Sequence, residues 1–260
     1  RPRARGRRGG CYLSLVDLVC LAAGHGTRLG RLGTYLQKCM YPVGLRPFLE
    51  HTLTQLLASG VAVPGRDRLT LVVGYLQEQV RAYFGARFEG LDVVYVHQAE
   101  RRGTGHALSL ARDALGPQAS VIAWQADLFV TADMFRAVAA HPAGTVVSLG
   151  PGHADEPAFL RATVAGDRVT RVWEGEGPLY DVGLWKLSPA VLARIGEARA
   201  ESGEVRMLVN LQRAIDAGEA CGYVVTDEWV HLGGTLPSPE ENVRSVVRRV
   251  LEHAPAARRA

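Results

Sequence analysis

Lysine is nearly missing from this 260-residue chain: of its 30 Lys and Arg side chains, only Lys38 and Lys186 are lysine. A sequence so biased toward arginine keeps lysine where a compact point charge is wanted. That singles out Lys38, which follows a glycine-rich stretch. Cysteine is sparse too, and Cys11, Cys20, Cys39 and Cys221 share no CxxC spacing. A disulfide framework and a zinc site are therefore not expected; the four read as reduced thiols of a cytoplasmic protein. No apolar run approaches the ~18 residues that cross a bilayer. The arginine-rich start leads into LSLVDLVCLAAG, but Asp17 breaks that apolar stretch, which argues against a signal peptide. Internal repeats and hexapeptide β-helix repeats are absent.

Hydrophobic residues make up 47% of the chain and charged ones 22%, the balance of an ordinary globular protein. The net charge of +4 overstates any basic surface, because residues 1–8 (RPRARGRR) hold five Arg and Arg258 and Arg259 lie near the other end. The body between them is near neutral or mildly acidic, so no nucleic-acid partner and no membrane partner is expected. Residues 1–11 read as a disordered basic tail, 12–252 as one domain and 253–260 as a second tail.

The first half alternates strand and helix patterns. Strands are expected at Leu13–Leu21, Leu69–Val73, Leu91–His97, Ser120–Trp124 and Thr145–Leu149. Between them, 46–59 places Leu49, Leu53, Leu56 and Leu57 on one helical face closed by Gly60. Tyr75–Phe84, Thr104–Leu115 and a segment capped by Thr131 and running to Ala140 also read as helices. This order implies an α/β fold, a Rossmann-like, mostly parallel sheet with helices on both faces. Ligands on such sheets sit beyond the carboxyl ends of the strands, which gathers Gly24–Arg28, Gln98–Thr104 and Asp127 on one rim. Residues 158–186 carry three short strands, LRATVA, RVTRVWE and YDVGLWK, expected as a small antiparallel flap. Helices near 188–195 and 205–217, the strand CGYVV and a last helix from Ser238 complete the chain; Ser238, Pro239 and Glu241 form a capping-box pattern.

Gly24–His25–Gly26–Thr27–Arg28 follows a strand, so its glycines can bring backbone N–H groups close to phosphate oxygens. A Walker loop lacks its Gly-Lys-Ser/Thr here. A dinucleotide fingerprint has its third glycine, Gly30, one place late, with Gly33 interrupting any following helix. A bare tight turn is the remaining reading. What decides between them is combination: LAAGHGTRL…QKCMYPVG resembles LAAGxGTRL…PKxLxPVG, the signature of nucleotidyltransferases that activate sugar 1-phosphates. HQAERRGTGHAL at His97–Leu108 is similar to the QAExxGTGHAL segment of the uridylyltransferases that make UDP-N-acetylglucosamine.

The resemblance covers about residues 12–245. It implies a nucleotide-binding half, 12–150, with Leu21, Ala22, Ala23, Gly24, Gly26 and Thr27 around the phosphates and Gln98, Gly103 and Thr104 at a pyrimidine base. A Gln amide offers both the donor and the acceptor that such a base requires. His106 reads as structural. The family pattern implies Arg28 and Lys38 as catalytic cations, and Asp127 in SVIAWQADL as the ligand of Mg2+, with Ala126 where relatives have Gly. In the acceptor half, 151–252, Glu174 and Asp181 match positions that bind sugar; Gly175 stands where Lys is common and Asp181 where relatives have Asn.

WVHLGGT at Trp229–Thr235 lies where relatives have WxDxGT, whose Asp is the second metal ligand, so His231 takes that place. Magnesium prefers oxygen and imidazole is a poor substitute. Three readings stay open: Asp127 and substrate phosphates hold the metal alone, Asp227 or Glu228 reaches in, or the correspondence shifts locally.

The expected partners are an NTP and a phosphorylated small-molecule acceptor, and a homo-oligomer is compatible with the chain. The expected function is Mg-dependent transfer of NMP from a pyrimidine NTP to a sugar 1-phosphate in nucleotide-sugar biosynthesis, with release of pyrophosphate. The alternatives are the same chemistry on phosphocholine, a phosphonate or a cyclitol phosphate, or a non-catalytic nucleotide- or sugar-phosphate-sensing protein.

Overall fold

The computed structural model describes residues 16–115, 120–152, 157–233 and 239–253. Its first strand, β1 (Val16–Ala22), sends Leu18, Cys20 and Ala22 into one core and Val19 into another. That period of two, apolar on both faces, is what a strand between two helical layers requires. Two 3-10 stretches, Thr27–Thr34 and Lys38–Met40, follow. The small hairpin β2 (Pro42–Val43) and β3 (Arg46–Pro47) then leads into α1 (Phe48–Ser59). The helix expected from residue 46 starts two residues later because Arg46 and Pro47 pair back onto Val43 and Pro42. Gly60 ends it in the left-handed region at φ 73, where a side chain would be strained.

The chain continues through β4 (Arg68–Val73), α2 (Gln77–Phe84), β5 (Arg87–Phe88), β6 (Leu91–His97) and α3 (Thr104–Leu115). Next come β7 (Ser120–Gln125), β8 (Leu128–Val130), α4 (Ala132–Ala140) and β9 (Thr145–Pro151). The second half adds β10 (Thr163–Ala165), β11 (Arg168–Arg171), β12 (Leu179–Leu187), α5 (Pro189–Arg194) and α6 (Met207–Asp216). It closes with β13 (Cys221–Val225), β14 (Trp229–His231) and α7 (Pro239–Glu252).

Ten strands form one mixed sheet in the order β10-β11-β13-β9-β12-β7-β1-β4-β6-β5. β1, β4, β6 and β7 run parallel. The chain moves from β1 outward to β6 and then returns to β7 on the other side of β1. This reversal opens a crevice at the carboxyl ends of β1 and β7. Helices α1, α2 and α4 pack Leu53, Phe84 and Phe135 on one face, and α3, α5 and α6 pack Leu108, Leu192 and Leu211 on the other. A third cluster joins Val246 and Val250 of α7 to Leu29, Val43, Phe48 and Phe129.

The α/β architecture agrees with the sequence expectation, and two local features differ. β10 and β11 form an antiparallel pair at the sheet edge, but YDVGLWK is the body of β12, inserted antiparallel between β7 and β9 near the sheet centre. Its residues from Tyr180 to Leu184 are all buried, so this strand has no solvent face to show. Thr131 occupies the N-cap of α4 but makes no side-chain cap bond; the Ala132 N–H donates instead to Gln55 Oε1 at 2.9 Å. Ser238 of the expected capping box lies outside the described residues, and Pro239 is the first residue of α7.

The second lysine proves architectural: Lys186 Nζ donates to the carbonyls of Ala139 and His141, at 3.2 and 2.9 Å, at the end of α4. Cys20, Cys39 and Cys221 are buried free thiols. Among the described residues, no helix is long and apolar enough to cross a membrane.

Candidate active site

Beyond the carboxyl ends of β1, β6 and β7 lies a cavity of about 520 Å³. Its wall on the β1 side is the loop after Ala22. Gly26 sits at φ 63, and a Cβ there would come within 3.1 Å of Lys38 Cβ, so glycine lets the loop close against the lysine. The loop passes into 3-10 turns, not an α-helix, which removes the dinucleotide reading. It folds back so tightly that a Cβ on Gly33 would lie 2.5 Å from the Gly26 carbonyl oxygen. Thr27 and Arg28 are exposed, Arg28 lining the cavity mouth.

Gln37 clamps this loop from beneath. Its Nε2 donates to Ala22 O at 2.8 Å and to Gly24 O at 3.4 Å, and its Oε1 accepts from Cys39 N at 2.6 Å. Its own N–H donates to Gln79 Oε1 at 2.9 Å. Gln37 occupies the place of a proline in the nucleotidyltransferase signature, and that departure was the one visible sign of its role. Proline has no N–H, so the change brings a backbone donor that Gln79 satisfies.

Lys38 is buried at the loop's foot, where its Nζ forms an ion pair with Asp127 Oδ2. Asp127 follows β7, and the ribbon β8–β14 sets what faces it. Leu128 pairs with His231, and Leu232 N donates to the Asp127 carbonyl at 2.8 Å. His231 Nδ1 thereby stands 3.7 Å from Asp127 Oδ1. Burial alone would raise the Asp127 carboxyl, but the Lys38 ammonium, and after it His231, hold it well below the usual carboxylate range. Asp227 and Glu228 are exposed and do not line the cavity.

Gln98 follows the last residue of β6, with Nε2 donating to Gly103 O and to His106 Nδ1, each at 3.1 Å. Gly103 O can only accept, so it fixes the amide orientation and leaves Oε1 without a partner among the described residues. His106 is thus structural in a specific sense: it holds the Gln98 amide. Thr104 Oγ1 accepts from Met207 N at 3.0 Å, and a Cβ on Gly103 would meet Val205 O at 2.5 Å. The 204–207 segment is therefore pressed against the Gln98–Thr104 loop.

The opposite wall comes from the second half. Because β12 runs antiparallel to β7, its start and the end of β7 share one rim, and Asp181 lines the cavity there. Burial pushes the Asp181 carboxyl up to about 7, against the Trp185 Nε1–H that donates to its Oδ1 at 2.7 Å. Phe159 and Trp173 pack at a tilt with centroids 5.0 Å apart, and the Arg206 guanidinium lies 4.7 Å over Phe159 and 5.4 Å over Trp173. Glu204 Oε2 accepts from Arg206 Nε at 2.9 Å. The sequence reading had none of these four residues.

Glu174 is exposed, has φ 53 and does not line the cavity, although its neighbour Trp173 does. The missing lysine after it has a steric cause: a Cβ on Gly175 would lie 2.6 Å from Arg161 O. Of the other predicted site residues, Leu21, Ala22, Ala23, Gly24, Gly26, Thr27, Arg28, Lys38, Gln98, Gly103, Thr104, Asp127 and Asp181 all line this one cavity, and His231 stands behind Asp127.

Comparison with known proteins places this geometry. The MobA-like NTP transferase domain matches residues 18–214. The UTP--glucose-1-phosphate uridylyltransferase AglF of Haloferax volcanii is 37% identical over 38% of this chain and 38% of its own. The CMP-5'-(3-aminopropyl)phosphonate synthase of Streptomyces rubellomurinus is 32% identical over 68% of this chain and 29% of its own. The chain thus spans well under half the length of these curated relatives. A crystal structure of UDP-glucose pyrophosphorylase complexed with UDP-glucose superposes with a TM-score of 0.72 at 15% identity, covering 92% of this chain and 98% of that one, a likeness of fold.

Proposed function

The chain belongs to the MobA-like NTP transferase family, among the sugar nucleotidyltransferases, and from that premise we propose that it transfers NMP from a pyrimidine NTP to a phosphorylated acceptor, with a sugar 1-phosphate as the leading acceptor class. An acceptor phosphate oxygen attacks the α-phosphorus, the new P–O bond forms, the bond to the β-phosphate breaks and pyrophosphate leaves. The attacking phosphate is already an anion, so no general base is required, and catalysis reduces to alignment and neutralisation of charge. The single observation that carries this reading is the buried ion pair of Lys38 with Asp127 in the cavity lined by the Gly24–Arg28 loop.

The backbone N–H groups of Gly24–Thr27 and the Arg28 guanidinium would hold the departing pyrophosphate. Lys38 would neutralise charge between the α-phosphate and the acceptor. Gln98 would present Oε1 to a base edge that carries a donor. Asp127 lines the cavity with Oδ1 clear of the Lys38 ammonium, so it is the residue that would hold a divalent cation, and His231 stands beside it. A Mg2+-type ion there would supply Lewis-acid stabilisation of phosphate oxygens.

One observation favours a second acceptor class. The wall expected to bind sugar hydroxyls leaves Glu174 outside the cavity and offers Phe159, Trp173, Asp181 and Glu204. Aromatic faces and carboxylates suit an amino-bearing phosphonate, and a phosphonate synthase is among the relatives. A pyrophosphate-release assay separates these readings. UTP, CTP, dTTP, ATP and GTP are each tested against sugar 1-phosphates, phosphocholine and aminoalkyl phosphonates. Release with one sugar phosphate supports the leading class, and release with an aminoalkyl phosphonate alone supports the second. No release from any pair, with nucleotide binding retained, overturns catalysis in favour of a sensing protein.

A further inference from the structure

The cations that line the cavity are unevenly spread. Arg28, Lys38 and Arg101 belong to the nucleotide half: Arg28 ends the glycine loop, Lys38 stands at its foot, and Arg101 lies in the loop after Gln98. Lys38 is already paired with Asp127. On the opposite wall Arg206 is, among the described residues, the one Lys or Arg side chain that lines the cavity. In nucleotidyl transfer both substrates arrive as anions, and the triphosphate draws on the cations of its own half. The phosphoryl group of the acceptor then calls for a cation on the acceptor side.

Arg206 is set up for a fixed contact. Its guanidinium lies over Phe159 and Trp173, 4.7 and 5.4 Å from the ring centroids, and its Nε donates to Glu204 Oε2 at 2.9 Å. With two rings and a carboxylate against it, the head group has few ways to turn. Nη1 and Nη2 have no hydrogen-bond partner among the described residues, and the side chain is 30% exposed, so a ligand can reach it. The backbone beneath is tied as firmly. Val205 N donates to Arg102 O at 2.7 Å, Val205 O accepts from Gly105 N at 2.8 Å, and Arg206 O accepts from Asn210 Nδ2 at 2.8 Å. A guanidinium held in this way offers a fork of N–H donors that matches two phosphoryl oxygens, and it gives up little side-chain freedom on binding.

We propose that the Arg206 fork holds the phosphoryl group of the acceptor, taking two of its oxygens and leaving the third to attack. The inference rests on the nucleotidyl-transfer reading. A phosphate monoester and a phosphonate present the same three oxygens, so the clamp serves sugar 1-phosphates and aminoalkyl phosphonates alike. The rest of the wall tells them apart.

The test is calorimetric titration of inorganic phosphate and of methylphosphonate into protein already saturated with α,β-methylene-UTP or α,β-methylene-CTP. These analogues fill the triphosphate cradle and cannot transfer NMP, so the probes report on the acceptor side. The wild type should bind both probes. Arg206→Ala should weaken both about 10-fold and leave the affinity for the nucleotide analogue unchanged, which also shows that the variant is folded. Arg206→Lys should stay as weak as Arg206→Ala, because an ammonium keeps the charge and loses the fork. Unchanged probe affinity in Arg206→Ala, or wild-type affinity in Arg206→Lys, would overturn the inference and leave nucleotidyl transfer standing if pyrophosphate is still released. A loss of analogue affinity with probe binding intact would give Arg206 to the nucleotide and overturn it as well. A wild type that binds an analogue but neither probe would overturn the clamp alone. Failure to bind either analogue would overturn both the clamp and the function on which it rests.

Discussion

The two walls of the cavity are built by different means. The loop wall, from Leu21 to Cys39, works with backbone: its carbonyls are tied down by Gln37, its close approaches use glycine, and its one buried cation is paired. The opposite wall works with side chains: Phe159 and Trp173 pack at a tilt beneath the Arg206 guanidinium, and Asp181 is held by Trp185. A backbone cradle can recognise a feature shared by every substrate of a reaction class, which under the proposed function would be a triphosphate. A side-chain wall can change with the acceptor without touching the reaction. The relatives fit that division, since the name of one gives a sugar 1-phosphate and that of another a phosphonate.

Three substitutions would break or sharpen this contrast. Lys38→Ala removes the cation proposed to act at the point of transfer and is expected to cost roughly 2.7–4 kcal/mol, or 10²–10³ in kcat; full turnover at saturating substrates would remove Lys38 from the mechanism.

Asp181→Asn acts on the other wall and should raise stability instead of lowering activity alone. The folded Asp181 carboxyl is pushed up to about 7 from 3.8. Between those pH values the unfolded chain releases a proton that the folded chain keeps, so stability falls as pH rises through that window and stays low above it. The amide carries no such penalty. The variant should be indistinguishable from wild type near pH 3.5 and more stable by roughly 2–4 kcal/mol at pH 8, as read from denaturant unfolding at the two pH values. A pH-independent difference would show that Asp181 is not a buried acid of this kind.

Arg206→Ala should have the smallest effect, about 0.5–2 kcal/mol from lost stacking. It should appear in the acceptor KM and leave the NTP KM unchanged. An equal rise in both would mean that the two walls are not separate.

The sequence made the loop wall legible because its signals are local. A run of apolar residues ending in Gly24 and Gly26, a lone lysine, and an Asp after SVIAW all lie within a few positions of the strands that place them. The other wall depends on pairings between distant segments. YDVGLWK reads as one more short strand among turns, and no periodicity says that it enters the middle of the sheet. Gln37 and Asn242 were missed for a related reason: each satisfies backbone groups of another segment, and a polar residue gives no sign of its partner in advance. Thr131 reverses the lesson, since the local cap signal was present but Gln55, from another helix, supplied the bond. His231 was visible only as an irregularity at an acidic position, and its meaning required the β8–β14 register.

That ribbon and the helix behind it have a consequence for how the protein comes to be. The family match ends at residue 214, whereas His231, Asn242 and the Val246–Val250 face of α7 lie beyond it. Domains made on the ribosome form from the N-terminus onward at about 5–20 residues per second. A nascent chain can thus complete β1, β4, β6 and β7 and bring Lys38 to Asp127 while the histidine partner is still unmade. The histidine side of Asp127 would be the last part of the site to form, and a chain stopped just before β14 should keep the ten-stranded sheet while its Asp127 faces Lys38 without His231.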